Sequence, residues 1–303
     1  GPFVLCFYGA FWIALRGSCP HEKSSLNRPT FMEYLKGREA QIQAGVEILA
    51  KQCGDLMLRR SGDLQANEIH FKDRRNLVTE VDLACEALLV EGLRDLLPEA
   101  NFQTEEGLVP GTDRGLRWVV DPLDGTTNFV HGLPIVSVSI ALVTDQQVDL
   151  GVVYAPFQDE MFTATRGSGA FCNGQRLKVS RPGGVEDALL ATGFPFQRFD
   201  RIQAYMEVLQ TLMRQCRGLR RMGSAAIDLA YVASGRFDGY FEYNLQPWDV
   251  AAGLLLVQEA GGMVGSVRPA HHPLDGREVL AAPAELYPAL EALLRSADST
   301  HGV

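Results

Sequence analysis

The apolar run Leu116 to Val120 breaks off at Asp121-Pro122-Leu123-Asp124-Gly125-Thr126-Thr127-Asn128, and that break limits what the chain can build. The run reads as a buried strand. Pro122 lacks an amide donor and restricts the residue before it, so the strand is expected to stop at Asp121-Pro122 with both carboxylates free to converge. Gly125 lets the backbone approach a ligand closely, and Thr126-Thr127-Asn128 offers hydroxyls and amide donors at a helix start. By residue type alone, an Asp-Gly-Thr tripeptide serves as well as a turn that caps a helix. The longer octapeptide shifts the balance toward a hard cation such as magnesium, which takes oxygen ligands and keeps water and phosphate in its remaining positions; the Leu123 carbonyl is a further donor.

Charge supports a metal over a basic phosphate site. The formal net charge is -9, which argues against a nucleic-acid or anionic-membrane surface as the main function. The six cysteines are scattered without a C-x-x-C pair, which suits reduced thiols in the cytoplasm and leaves no structural zinc site. The apolar stretch Phe3 to Leu15 is too short to cross a bilayer and lacks the basic opening of a secretory signal. Residues 1–31 are therefore set apart as an extension, read as an artefact of expression or of the assigned start rather than as an anchor.

From Met32 to about Arg60 the apolar positions recur at helical spacing, and Thr79 to Leu97 repeats the pattern, with a polar loop between. Ile135 to Val143, Val148 to Tyr154 and Glu160 to Thr165 read as an antiparallel meander. Arg201 to Cys216, Ser224 to Ser234 and Val250 to Ala260 read as helices, and Phe237 to Tyr243 as a strand. No repeat or linker interrupts this, so residues 32–303 are expected to form one α+β domain.

Further acids fall at element ends. Glu105 and Glu106 sit in a turn-rich stretch, Asp82 belongs to a capping-box pattern at Thr79, and Asp249 precedes a helix it could simply cap. Each alone reads as a surface pair or a cap. Taken together, Glu105, Asp121, Asp124 and Asp249 are placed where distant segments can meet around a metal. Cys53 and Arg59 match the spacing of thiol phosphatases, but the helical pattern lacks phosphate-cradling glycines and Cys53 is expected to be structural.

Trp118 to Phe129 and Trp248 to Gly262 (WDVAAGLLLVQEAGG) resemble, in that order, the paired signatures of the inositol monophosphatase family; the similarity runs from about Met32 to the C-terminus. Leu189 to Phe196, Arg220 to Gly235 and Gly239 to Trp248 most resemble its bacterial SuhB-type branch. The resemblance implies the layered αβαβα sandwich of the sugar phosphatases, a homodimer, and lithium-sensitive, magnesium-dependent hydrolysis of myo-inositol monophosphate. It implies that Glu105, Asp121 and the Leu123 carbonyl hold one Mg2+, that Asp121, Asp124 and Asp249 hold a second, and that a third, weaker ion leans on Glu105. A metal-activated water, oriented by Glu105 and Thr126 with Asp82 behind the threonine, would then attack phosphorus in line. Substrate would meet Asp124, Gly125, Thr126, Gly223, Ser224, Ala225, Glu242 and Asp249, and Lys72 matches the family's lysine near the mobile metal-site loop. Gln246 stands where animal members carry a histidine, which implies a leaving-group end tolerant of different alcohols.

Two rivals remain. Related phosphatases acting on histidinol phosphate, fructose 1,6-bisphosphate or 3'-phosphoadenosine phosphates share the metal acids. SuhB-type proteins are also associated with the transcription antitermination machinery, for which Arg214, Arg217, Arg220 and Arg221 form a candidate contact; the plainer reading is a solvated helix face.

Overall fold

Residues 37–62, 69–73, 76–195, 202–268 and 270–300 of a computed structural model are described, without the side chains of 71–73, 76, 77 and 298–300. The first amphipathic pattern becomes α1 (Glu39–Arg60), which buries Ile42, Val46, Ala50, Cys53 and Met57. The connection expected as a plain loop contains an antiparallel ribbon, β1 (Ile69–Asp73) and β2 (Asn76–Thr79). Strands of five and four residues are too short to establish a period that stands out from polar neighbours. Then α2 (Glu80–Leu96) packs on α1 through Val81, Cys85, Leu89 and Leu93.

A seven-stranded sheet follows in sequential order: β3 (Asn101–Thr104), β4 (Leu116–Asp124), β5 (Ser137–Thr144), β6 (Gln147–Ala155), β7 (Glu160–Thr165), β8 (Gly169–Cys172) and β9 (Gln175–Arg176). Only β3 and β4 run parallel; every other neighbouring pair is antiparallel. A one-turn helix, α3 (Thr126–Val130), interrupts the passage from β4 to β5. Contrary to the expected stop at Pro122, β4 continues to Asp124. Asp121 pairs with Ser139 and Asp124 with Ser137, and the irregularity between them absorbs the proline that a regular ladder would reject.

The chain then lays down β10 (Leu189–Thr192), α4 (Ile202–Gln215), β11 (Gly218–Arg220), α5 (Ala225–Ala233), β12 (Gly239–Tyr243), α6 (Pro247–Glu259), β13 (Gly262–Gly265), β14 (Glu278–Pro283) and α7 (Tyr287–Thr300). Its five strands form a second sheet in the order β11-β10-β12-β14-β13. α1 and α2 cover one face of the large sheet, α5 and α6 fill the space between the sheets, and α4 and α7 close the far side. This is the layered α+β sandwich that the resemblance implies.

Why α6 occupies the middle is written in its sequence. Val250 to Val257 carries no polar side chain, so the helix has no face to offer water, and all eight residues are buried. Each of Leu254, Leu255 and Leu256 contributes about 1.5–3 kcal/mol through burial. Close approach to the sheet also requires Gly151, because a Cβ there would meet the Ala252 carbonyl at 2.9 Å. α6 begins at Pro247, three residues before the apolar run alone suggests, because Pro suits the first helical position and the Asp249 carboxylate accepts the Gln246 N–H at 2.7 Å. Among the described residues no helix is long and apolar enough to cross a membrane.

Candidate active site

Segments far apart in sequence converge on one cleft of about 350 Å³ between the two sheets. The bulged end of β4 delivers Asp121, Leu123 and Asp124, the exit from β3 delivers Glu105, and the first turn of α6 delivers Asp249. The fourth segment, Gly223-Ser224-Ala225, leads into α5, and Glu242 reaches the same cleft from β12.

Local hydrogen bonds fix each group. Asp121 Oδ1 accepts from the Leu123 N–H at 3.0 Å. Asp124 Oδ2 accepts the Ser224 hydroxyl at 2.7 Å and the Ala226 N–H at 2.8 Å, which locks the carboxylate onto the N-terminus of α5. Between them Gly125 adopts φ +100, and a Cβ there would press on the Ile135 carbonyl at 2.9 Å, so this position excludes other residues on two counts. The Thr126 hydroxyl lies 3.1 Å from Asp82 Oδ1 and 3.2 Å from the Leu123 carbonyl. Asp82 is itself capped, accepting the Thr79 N–H at 2.9 Å and the Thr79 hydroxyl at 2.5 Å.

The electrostatics of this cluster are those of acids forced together. Burial, then Glu105, Asp124 and Asp249, raises the Asp121 carboxyl well above its ordinary value. Burial, then Asp124 and Glu105, does the same for Asp249. Asp124 is pushed up to about 6 by burial, opposed by its bonds to Ser224 and Ala226, and Asp82 to about 6 by burial, opposed by Thr79. A divalent cation relieves this kind of crowding, and the all-oxygen donor set is that of a hard metal such as magnesium. Among the described residues no three His, Cys, Asp or Glu side chains close around one point. Magnesium is usually held by one or two carboxylates, with water and phosphate completing its shell, so the donors suit an ion shared with substrate.

The profile of the inositol monophosphatase family matches residues 35–299. The chain belongs to that family. It is 42% identical over 247 residues to "Nus factor SuhB" of Escherichia coli K12, covering 81% of this chain and 92% of that one. The Pseudomonas aeruginosa protein of the same name is 43% identical over 246 residues, covering 80% and 91%. Among solved structures, the extragenic suppressor protein SuhB of Bartonella henselae superimposes with TM-score 0.79 at 39% identity, covering 84% of this chain and 98% of that one. The Thermotoga maritima IMPase gives 0.76 at 32% identity, covering 85% and 98%. Family membership makes the chain a phosphatase.

In this member of the family the cleft holds Glu105, Asp121, Leu123, Asp124, Gly125, Thr126, Gly223, Ser224, Ala225, Glu242 and Asp249, all named from the sequence. Asp82 stands behind Thr126. Lys72 lies on β1, and its side chain falls outside the described residues. Gln246 is not among the residues lining the cleft; its backbone N–H serves Asp249 instead.

Sequence reasoning missed several residues. Glu86, buried on α2, accepts the Thr104 hydroxyl at 2.7 Å and the N–H groups of Glu106 and Leu108 at 2.8 Å, so it holds the loop that carries Glu105. The signal was present: Asp82 and Glu86 are two acids at i, i+4 on the apolar face of one helix. Tyr240 donates to Glu242 Oε2 at 2.7 Å from the same strand. Arg221, read from sequence as part of a surface cluster, lines the cleft.

Proposed function

We propose that this chain hydrolyses myo-inositol monophosphate to myo-inositol and phosphate. The observation that carries this reading is the convergence of Glu105, Asp121, Asp124 and Asp249 with the hydroxyl-accepting Glu242 in one cleft. Glu105, Asp121, Asp124, Asp249 and the Leu123 carbonyl would hold two Mg2+, with Glu105 supporting a third. Bound there, magnesium supplies Lewis acidity and lowers the pKa of a water.

The remaining work belongs to the chain. The Thr126 hydroxyl can donate its one hydrogen to Asp82 Oδ1 or to the Leu123 carbonyl, so a lone pair is left to accept from a water and, with Glu105, aim it at phosphorus. Asp82 is a positioning residue, held by Thr79 so that it presents Oδ1 to the threonine. The start of α5 offers backbone N–H groups near the Gly223-Ser224-Ala225 turn to an anionic ester. Glu242, fixed by Tyr240, can accept two neighbouring hydroxyls, which favours a polyol over an apolar alcohol.

Lithium inhibition, a homodimer and a cytoplasmic setting complete the reading on the strength of the family resemblance. The test is magnesium-dependent phosphate release from inositol 1-phosphate, with and without lithium, beside histidinol phosphate, fructose 1,6-bisphosphate and 3'-phosphoadenosine 5'-phosphate. Activity on the nucleotide with none on inositol 1-phosphate would refute this choice of substrate.

A second reading is favoured by the name of the relatives, Nus factor. Arg214, Arg217, Arg220 and Arg221 are all exposed, although Arg217 is engaged by Asp187 at 3.1 Å. Contact with the transcription machinery through this cluster predicts that a quadruple Arg→Ala variant recovers less RNA polymerase in a pull-down than the parent protein. Equal recovery removes the cluster from that role.

A further inference from the structure

Asp121 and Asp124 stand three residues apart, a spacing that in a regular strand sends side chains to opposite faces of the sheet. The irregularity in β4 prevents this. Across the ladder Asp121 pairs with Ser139 and Asp124 with Ser137, so three steps along β4 match two along β5, and both acids reach the cleft. The two serines are buried on that same side, and each hydroxyl crosses to the helices between the sheets. Ser139 Oγ donates to the Trp248 carbonyl at 3.1 Å, one residue before Asp249 in the first turn of α6. Ser137 Oγ lies 3.1 Å from Ser224 Oγ, and the other contacts of Ser224 fix the direction of that bond. Ser224 gives its one hydrogen to Asp124 Oδ2 at 2.7 Å and accepts the Ile227 N–H at 3.3 Å, so Ser137 is the donor and both lone pairs of Ser224 are filled. A hydroxyl saturated in this way has no bond left for a substrate; it holds Asp124.

The two serines therefore end on different acids of one proposed ion. Asp124 and Asp249 belong with the shared Asp121 to the second magnesium, whereas Glu105 and the Leu123 carbonyl belong to the first. Glu105 is carried by a loop that Glu86 holds from α2, with no part played by β5. We infer that Ser137 and Ser139 are positioning residues for the second magnesium alone: Ser137 fixes Asp124 through Ser224, and Ser139 fixes the turn that carries Asp249. The inference rests on the two-ion assignment proposed above and adds what makes the two sites separable, since the first is braced from α2 and the second from β5.

The experiment titrates magnesium into the protein by calorimetry in the presence of inorganic phosphate, and Asp249→Asn marks the binding step that belongs to the second ion. Ser137→Ala and Ser139→Ala should each weaken that step about tenfold and leave the other unchanged, as expected when a hydrogen bond that orients a metal ligand is lost. The magnesium concentration for half-maximal turnover should rise by the same factor, with kcat restored in excess magnesium. Thr144→Val removes a comparable bond elsewhere on β5, from the Thr144 hydroxyl to Asp149 Oδ2 at 2.8 Å, and should change neither step. A serine variant that leaves the isotherm as in the parent, or weakens both steps alike, overturns the inference, as does an equal effect of Thr144→Val. A parent protein that binds magnesium in fewer than two steps would overturn the two-ion assignment and this inference together.

Discussion

The carboxylate of Glu86 accepts the N–H of Glu106 at 2.8 Å, tying the middle of α2 to the backbone immediately after Glu105. The same carboxylate takes Thr104 and Leu108, so it replaces the ladder partners that the chain loses on leaving β3. Glu86→Ala leaves three donors in want of an acceptor and should cost roughly 3 kcal/mol or more in urea unfolding. Glu86→Gln keeps one acceptor oxygen and should cost less. Both should weaken magnesium-dependent turnover more than an exposed control such as Glu91→Gln.

Asp121→Asn removes the carboxylate shared by both metal assignments while keeping an oxygen for the Leu123 N–H. Turnover should fall by at least about a hundredfold. In chelator the variant should melt higher than the parent, because one buried like charge is gone. Near-parental activity in magnesium would remove Asp121 from the mechanism.

The raised acids make metal-free stability depend on pH in an unusual direction. Asp82 and Asp124 are held at about 6 and Glu242 at about 7, chiefly by burial, against unfolded values near ~4. Between these limits the folded state binds more protons than the unfolded one, so stability is fully present below about pH 4 and declines as pH rises toward 7. Melting temperatures in chelator should therefore fall from pH 5 to pH 7.5, and excess magnesium should remove most of that slope. A flat profile in chelator would refute the electrostatic picture of the cleft.

Gly193→Ala would place a Cβ against the Glu242 carboxyl group. Displacing that carboxylate should raise KM for inositol 1-phosphate several-fold with a smaller change in kcat, since the acids on β4 and α6 are untouched. An unchanged KM would show that Glu242 does not hold the polyol.

Much of this site was legible because its chemistry is local in sequence. Asp121 to Asn128 carries two acids, a proline that breaks the strand's register and a left-handed glycine in one stretch, and Asp249 sits two residues after Pro247 at a helix start. What escaped depends on packing between segments. Glu86 works through a loop some twenty residues away, and Arg221 reads as surface until Phe194 and Gly223 turn it into the cleft. In the fold, the long apolar runs gave α6, β5 and β6 within a few residues, whereas β1, β2 and β3 were missed because strands of four or five residues owe their state to their partners.

α6 is made late and buried along eight consecutive residues. During synthesis the large sheet can be complete once Arg176 has emerged, yet its inner face must wait some seventy residues for the helix that covers it. That same helix brings Asp249. A chain halted before Pro247 is therefore left with a sticky, uncovered sheet and an unfinished metal cleft at once, so cellular proteases and chaperones that detect the first defect would also clear every molecule carrying the second.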